Sequence, residues 1–262
     1  MSNAVPKEMP DLERRFGGVR RLYGSDALQR FQSAHVAVIG IGGVGSWAAE
    51  ALARSAIGRL TLIDLDMVAE SNVNRQIHAL DGAFGKAKTD AMAERLRAIN
   101  PACVVDTIED FVSPENLSNL LIGDFDFIID AIDQVRTKVA LIAWCVEHDR
   151  PLVTVGSAGG QVDPTRIGVS DLALTVQDPL LARVRAQLRK DYGFTRKPKK
   201  KFGVTAVFST EPVGRPVTTD GCDTLSARSG LACAGYGSSV CVTAPFGFFA
   251  SAVALRHLAA TA

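Results

Sequence analysis

VAVIGIGGVGSWAAEALARSAIGRLTLIDLD, residues 36–66, decides the fold of this chain. An apolar run, Val36 to Ile39, enters a glycine-rich turn with Gly40, Gly42, Gly43 and Gly45. A helix of small residues follows, and a second apolar run delivers Asp64 and, two residues on, Asp66. The early glycines let the backbone turn tightly and approach a phosphate. Gly45 lets the helix lie close to the sheet, and the helix N-terminus offers unpaired N–H groups to an anion. The stretch therefore predicts a nucleotide site at the carboxyl end of a parallel sheet. It leaves the nucleotide open, because an acid nineteen residues beyond Gly45 also suits a dinucleotide dehydrogenase.

Outward from this unit, the order of elements predicts the class. Residues 1–13 are polar, proline-bearing and read as a flexible N-terminus; Arg14 to Arg30 reads as helical. Residues 86–100 form a helical pattern that Asn100-Pro101 stops. Strand patterns at 103–108 and 125–129, a helix at 137–148 and a strand at 152–155 continue the alternation. That predicts an α/β chain with a doubly wound, mostly parallel sheet, its nucleotide-binding core spanning 14–156. Residues 157–262 read as a C-terminal part completing the sheet: a strand in a changed direction at 161–170, a basic helix at 179–192, a strand at 204–208 and a poorly ordered loop at 211–230.

Net charge is +1, so no global field points to nucleic acid or membrane, and such a partner must meet a local patch. One exists: residues 183–201 carry nine Lys or Arg against Asp191 alone. It reads either as a solvated helix face or as an RNA footprint. None of Cys103, Cys145, Cys222, Cys233 and Cys241 forms a Cys-x-x-Cys pair, which argues against a zinc knuckle. Free thiols and an N-terminus lacking an apolar signal run make a reducing cytoplasm the expectation. Residues 234–255 hold no charge and are long enough to suggest a membrane span. Gly235, Gly237, Pro245 and Gly247 favour instead a buried strand, a turn and a helix from about Phe246; membrane contact stays open.

Asp64 and Asp66, then Asn72, Arg75 and Gln76, then Lys88, then Asp130 and Asp133 occur in order, each at a strand end or in the adjoining loop. Over residues 15–160 this ensemble resembles the adenylating core of the ubiquitin-activating (E1-like) superfamily, which includes the molybdopterin- and thiamine-synthesis adenylyltransferases. The resemblance implies a Rossmann-like fold that binds ATP. Asp64 would accept bonds from the ribose hydroxyls, and Asn72, Arg75 and Lys88 would surround the triphosphate. Asp133 would hold Mg²⁺, unless it merely caps the helix that follows. Arg15 resembles an arginine that reaches the partner's phosphates in a homodimer. A dehydrogenase has no use for Asn72, Arg75 and Lys88 in this order.

Two departures narrow the branch: no Cys-x-x-Cys pair, and no cysteine between residues 157 and 221 to serve as an acyl carrier. The segments RFGGVRRLYG (15–24), AIDQVRTK (131–138), GGQVDP (159–164), QDP (177–179), VFSTE (207–211) and TAPFGF (243–248) resemble the tRNA threonylcarbamoyladenosine dehydratase branch. That implies ATP-dependent cyclisation of the modified adenosine next to the anticodon, with Arg75, Lys88 and Asp133 in the chemistry. Arg189, Lys190, Arg196, Lys197, Lys199, Lys200 and Lys201 would contact tRNA, and Tyr192 and Phe194 would either stack on a base or pack in the core. Cys233 stands where the family often has a cysteine, either a buried thiol or a persulfide link to a cysteine desulfurase. A monovalent-cation requirement stays open. The rivals are an adenylyltransferase acting on a small sulfur-carrier protein and a non-catalytic nucleotide-binding adaptor.

Overall fold

The computed structural model describes residues 10–214 and 236–260. Its centre is a seven-stranded sheet in the order β3-β2-β1-β4-β5-β7-β6. The strands are β1 (His35–Ile39), β2 (Arg59–Ile63), β3 (Val104–Ile108), β4 (Phe127–Asp130), β5 (Leu152–Val155), β6 (Ile167–Asp171) and β7 (Thr205–Ser209). All neighbours run parallel except β6 and β7. The chain winds from β1 outward to β3, then returns to lay β4 on the other side of β1. The carboxyl ends of β1 and β4 therefore flank the switch point, where open α/β sheets bind ligands.

The central strands are buried on both faces: β4 and β5 are enclosed throughout, β1 and β2 from their second residues onward. This is why they read as unbroken apolar runs rather than alternating ones. Two cores result. One lies under α2 (Ser25–Ser33), α3 (Gly45–Arg54), α4 (Lys88–Ile99) and the last helix, and centres on Phe31, Leu52, Leu60, Met92 and Phe246. The other lies under α5 (Leu117–Leu120), α6 (Val135–Glu147) and α7 (Pro179–Asp191), and centres on Ile39, Leu141, Ile142, Leu181 and Leu188.

Several sequence expectations need correction. Helix α1 spans Leu12–Tyr23, with Asp11 capping it through the Arg14 N–H at 2.9 Å, so the flexible stretch cannot extend to residue 13. The strand expected at 161–170 starts only at Ile167, because Pro164, which lacks an N–H, opens a short 3-10 turn. The described part of 234–255 contains no strand. Instead the last helix, α8, runs from Val240 to Ala260. The Ser239 hydroxyl accepts the Cys241 N–H at 3.2 Å, starting the helix six residues before the expected Phe246. Pro245 lies inside α8, near its N-terminus. This helix is long and apolar enough to cross a membrane by length and composition. Half of its most apolar window is nevertheless buried inside the protein, and Ser251 hydrogen-bonds the Ala48 carbonyl of α3 at 3.0 Å. Those contacts are those of a core helix.

Candidate active site

At the switch point, the turn after β1 shows why glycine is required. Gly40 has φ +87°, and a Cβ there would sit 2.9 Å from the Ala131 carbonyl oxygen; one on Gly45 would sit 1.8 Å from the Gly40 oxygen. The turn is thus pressed between the end of β4 and the start of α3. A crevice of about 360 Å³ opens above it, within the range of small-ligand sites. Gly40, Gly42, Gly43, Asp64, Asp66, Asn72, Arg75, Gln76, Lys88 and Asp133 all line it. The chain brings these residues in from the ends of β1, β2 and β4 and from the long loop that leads into α4.

Asp64 accepts the Ile41 N–H at 2.6 Å on one oxygen and the Asp66 N–H at 2.8 Å on the other. Each oxygen keeps a lone pair for a further donor. Burial raises its pKa above the ordinary carboxylate value, opposed by Lys88 and the two backbone donors. Lys88, the first residue of α4, is buried, and its ammonium meets Asp66 Oδ2 at 2.6 Å. The Lys88 N–H also donates to the Asp66 carbonyl at 3.0 Å, and Met67 bridges Ala87. These bonds fasten the start of α4 to the end of β2. Asn72 closes a short 3-10 turn by accepting the Ala69 N–H at 3.1 Å. The Arg75 stem lies against Gly43, while its guanidinium donates to the Ser71 carbonyl at 2.8 Å and to Asn74 Oδ1 at 3.0 Å.

Asp133 does not cap α6, since Gln134 holds the cap position without a side-chain bond. Among the described residues no hydrogen bond or ion pair holds the Asp133 carboxylate, which lines the crevice. No group of three or more His, Cys, Asp or Glu gathers around a metal position among the described residues. One carboxylate completed by phosphate oxygens and water is a donor set that suits Mg²⁺. Gly45 and Arg15 do not line the crevice. Gly45 contributes through packing, and Arg15 donates to the Ile99 carbonyl at 2.8 Å, at the end of α4.

The sequence reading missed a second tier beneath the crevice. Asp130 and Lys138 are both fully buried and 2.8 Å apart, and the Thr154 hydroxyl donates to the same carboxylate at 2.7 Å. Asp130 also accepts the Ile132 N–H at 3.1 Å, fixing the turn that carries Asp133. The signal was a carboxylate and a lysine eight residues apart, at the end of an apolar strand and in an apolar helix. Ser157, Gly159, Ser238 and Thr243 also line the crevice, though the sequence reading did not assign them to the site.

In the basic segment, Lys190, Arg196, Lys197, Lys199, Lys200 and Lys201 are exposed. Arg189 is half-buried, its guanidinium 5.2 Å from the Phe202 ring and its Nε donating to the Thr195 carbonyl. Phe194 packs edge-on against Phe202 and belongs to the core, whereas Tyr192 is exposed. Most of the loop expected at 211–230, together with Cys222 and Cys233, lies outside the described residues.

The ThiF family pattern matches residues 16–192. The tRNA threonylcarbamoyladenosine dehydratase of Haemophilus influenzae is 53% identical over 95% of both chains. That of Escherichia coli is 52% identical over 95% of this chain and 94% of its own length. The crystal structure of the Escherichia coli dehydratase TcdA in complex with ATP superposes with a TM-score of 0.86 at 50% identity, covering 95% of this chain and 96% of the other. Matches of that identity, running through the C-terminal part as well as the nucleotide crevice, place this chain in the ThiF family, among the tRNA threonylcarbamoyladenosine dehydratases.

Proposed function

We propose that this chain is an ATP-dependent enzyme that cyclises threonylcarbamoyladenosine in tRNA through an acyl-adenylate. The carrying observation is the convergence on one switch-point crevice of an acid at the end of β2, two cations and a carboxylate that nothing among the described residues engages. A free carboxylate does not lose oxide. Its oxygen attacks the α-phosphorus of ATP, and pyrophosphate leaves. The substrate's own ureido nitrogen then attacks the activated carbonyl, its proton is lost, and AMP carries away the oxygen, for a net loss of water. An internal nucleophile reacts at high effective molarity, which fits a chain with no cysteine between residues 157 and 221.

Asp64 would hold the ribose, and Asn72, Arg75 and Lys88 the phosphates, with Gln76 behind them. Arg75 and Lys88 would stabilise charge as pyrophosphate departs. Mg²⁺, held by Asp133 and phosphate oxygens, would neutralise phosphate charge when bound. The exposed lysines of 197–201 would meet tRNA phosphates, in a cytoplasmic setting. The exposed Phe248 and Phe249 on α8, with Trp47 edge-on to Phe248, support a homodimer in which Arg15 acts on the partner's site.

The test is incubation with ATP, Mg²⁺ and threonylcarbamoyl-tRNA, digestion to nucleosides and mass spectrometry. The expected product is lighter by one water. An unchanged nucleoside would reject the reading.

A further inference from the structure

A second cavity, of about 80 Å³, opens beside the nucleotide crevice. Ser157 and Gly159 line both. Pro179, Leu180, Val213 and Tyr236 supply apolar wall, and Arg183 completes the lining. The pocket is tied to its surroundings on two sides. Asp178 caps α7 through the Leu181 N–H and accepts the Ser157 N–H, both at 2.9 Å. Gly160 accepts the Gly214 N–H at 2.8 Å and donates to the Gly237 carbonyl at 3.0 Å, holding Val213 and Tyr236 in place. The space matches only a few water molecules at about 30 Å³ each. It is too small for a purine and suits a branched side chain of two or three heavy atoms.

We infer that this side pocket receives the small β-hydroxy side chain of the threonylcarbamoyl group and selects for it. The inference rests on the adenylation reading above. If the carboxylate attacks ATP in the crevice, the adjoining carbon carries the side chain one bond away from the carboxyl carbon. That branch must enter space contiguous with the crevice, and the shared Ser157–Gly159 wall provides it. Leu180, Val213 and Tyr236 offer apolar contact to the methyl group, and the Ser157 hydroxyl offers a partner for the substrate hydroxyl. The pocket also abuts the first turn of α7, which leads into the basic segment proposed to hold RNA.

The test compares tRNA carrying threonylcarbamoyladenosine with tRNA carrying the glycine-derived analogue, which lacks the branch. A pocket for one small apolar group discriminates by about 10–200-fold. The wild-type protein should therefore favour the threonyl substrate by at least about tenfold in kcat/KM. Val213→Phe, at a half-buried position, should fill the pocket and bring the ratio close to one, with ATP affinity and thermal midpoint unchanged. Tyr236→Ala should erode the ratio as well, by opening the wall. Equal wild-type rates on the two substrates, or an unaltered ratio in a folded Val213→Phe protein, would overturn the inference while leaving adenylation standing. Cyclisation of neither substrate would remove adenylation and the inference together.

Discussion

Lys138→Met tests whether the tier beneath the crevice positions the chemistry above it. Met keeps an unbranched side chain one atom shorter and removes the charge. In the native protein the ammonium lies 2.8 Å from Asp130 Oδ2 and 3.0 Å from the Thr154 hydroxyl, with neither charged residue exposed. The substitution leaves a fully buried carboxylate with only the Thr154 hydroxyl and the Ile132 N–H as partners. Breaking a buried pair in this way costs about 3–5 kcal/mol. For a domain of this size each kcal/mol is worth about 2–4 °C, so the thermal midpoint should fall by about 6–20 °C. Adding Asp130→Asn removes the orphaned charge while keeping an oxygen for the Ile132 N–H, and should recover more than half of the loss. Urea unfolding of the three proteins, with ATP binding measured on each, separates the effects. ATP-dependent turnover should follow the same order, because the Ile132 bond sets the turn that presents Asp133. A Lys138→Met protein within 1 kcal/mol of wild type, or a double variant no better than the single one, would refute the positioning role.

Asp133→Ala should abolish cyclisation and leave the unfolding curve unchanged, since no hydrogen bond within the described protein depends on that carboxylate; full activity would remove its assignment to Mg²⁺. Replacing Lys199, Lys200 and Lys201 together with Ala should weaken tRNA binding and lower the salt slope by about one per lost phosphate contact; an unaltered slope would return the loop to ordinary surface. Burial holds the His78 imidazole down at about 4, and among the described residues neither ring nitrogen has a partner. The unfolded chain takes up that proton near 6.5, so it binds more protons than the folded protein between pH 6.5 and 4. Stability should therefore decline as pH falls through that window, by about 3 kcal/mol in all. His78→Leu should flatten the decline in urea unfolding series, and identical pH dependence in the two proteins would sink the attribution.

The core was legible because its physics is local. Strands buried on both faces read as apolar runs, the turn after β1 cannot tolerate a Cβ, and Asn100-Pro101 ends α4 within a residue of where the pattern predicts it. The crevice was legible for a related reason: switch-point residues sit at strand ends, so their order in the chain is their order around the site. The errors arose where tertiary contacts outweigh local signals. Gly237 and Pro245 argued for a strand and a late helix start, but the Ser239 cap and the contact with α3 carry the helix back to Val240. The pairing of Asp130 with Lys138 spans a strand, a turn and a helix, and burial at both ends depends on β5 and α7 being in place. The side pocket was invisible for a similar reason, since it joins residues from 157 to 236 that meet only after β7 inserts beside β5.

The charge balance of the crevice explains how a nearly enclosed lysine can wait for an anion. An ammonium with so little water around it needs a counter-charge. Asp66 supplies that charge at 2.6 Å, yet its own side chain is 62% exposed. An exposed carboxylate loses little by returning to water, whereas Lys88, in the proposed role, would gain a partner of higher charge from a triphosphate. The exchange keeps the cation paired in both states. Asp64 is placed differently: two backbone donors hold it in position, which suits the role proposed for it toward a neutral sugar. Under the proposed function, the crevice would combine a fixed acceptor for the part of the nucleotide that must be oriented with a releasable partner for the cation assigned to its phosphates.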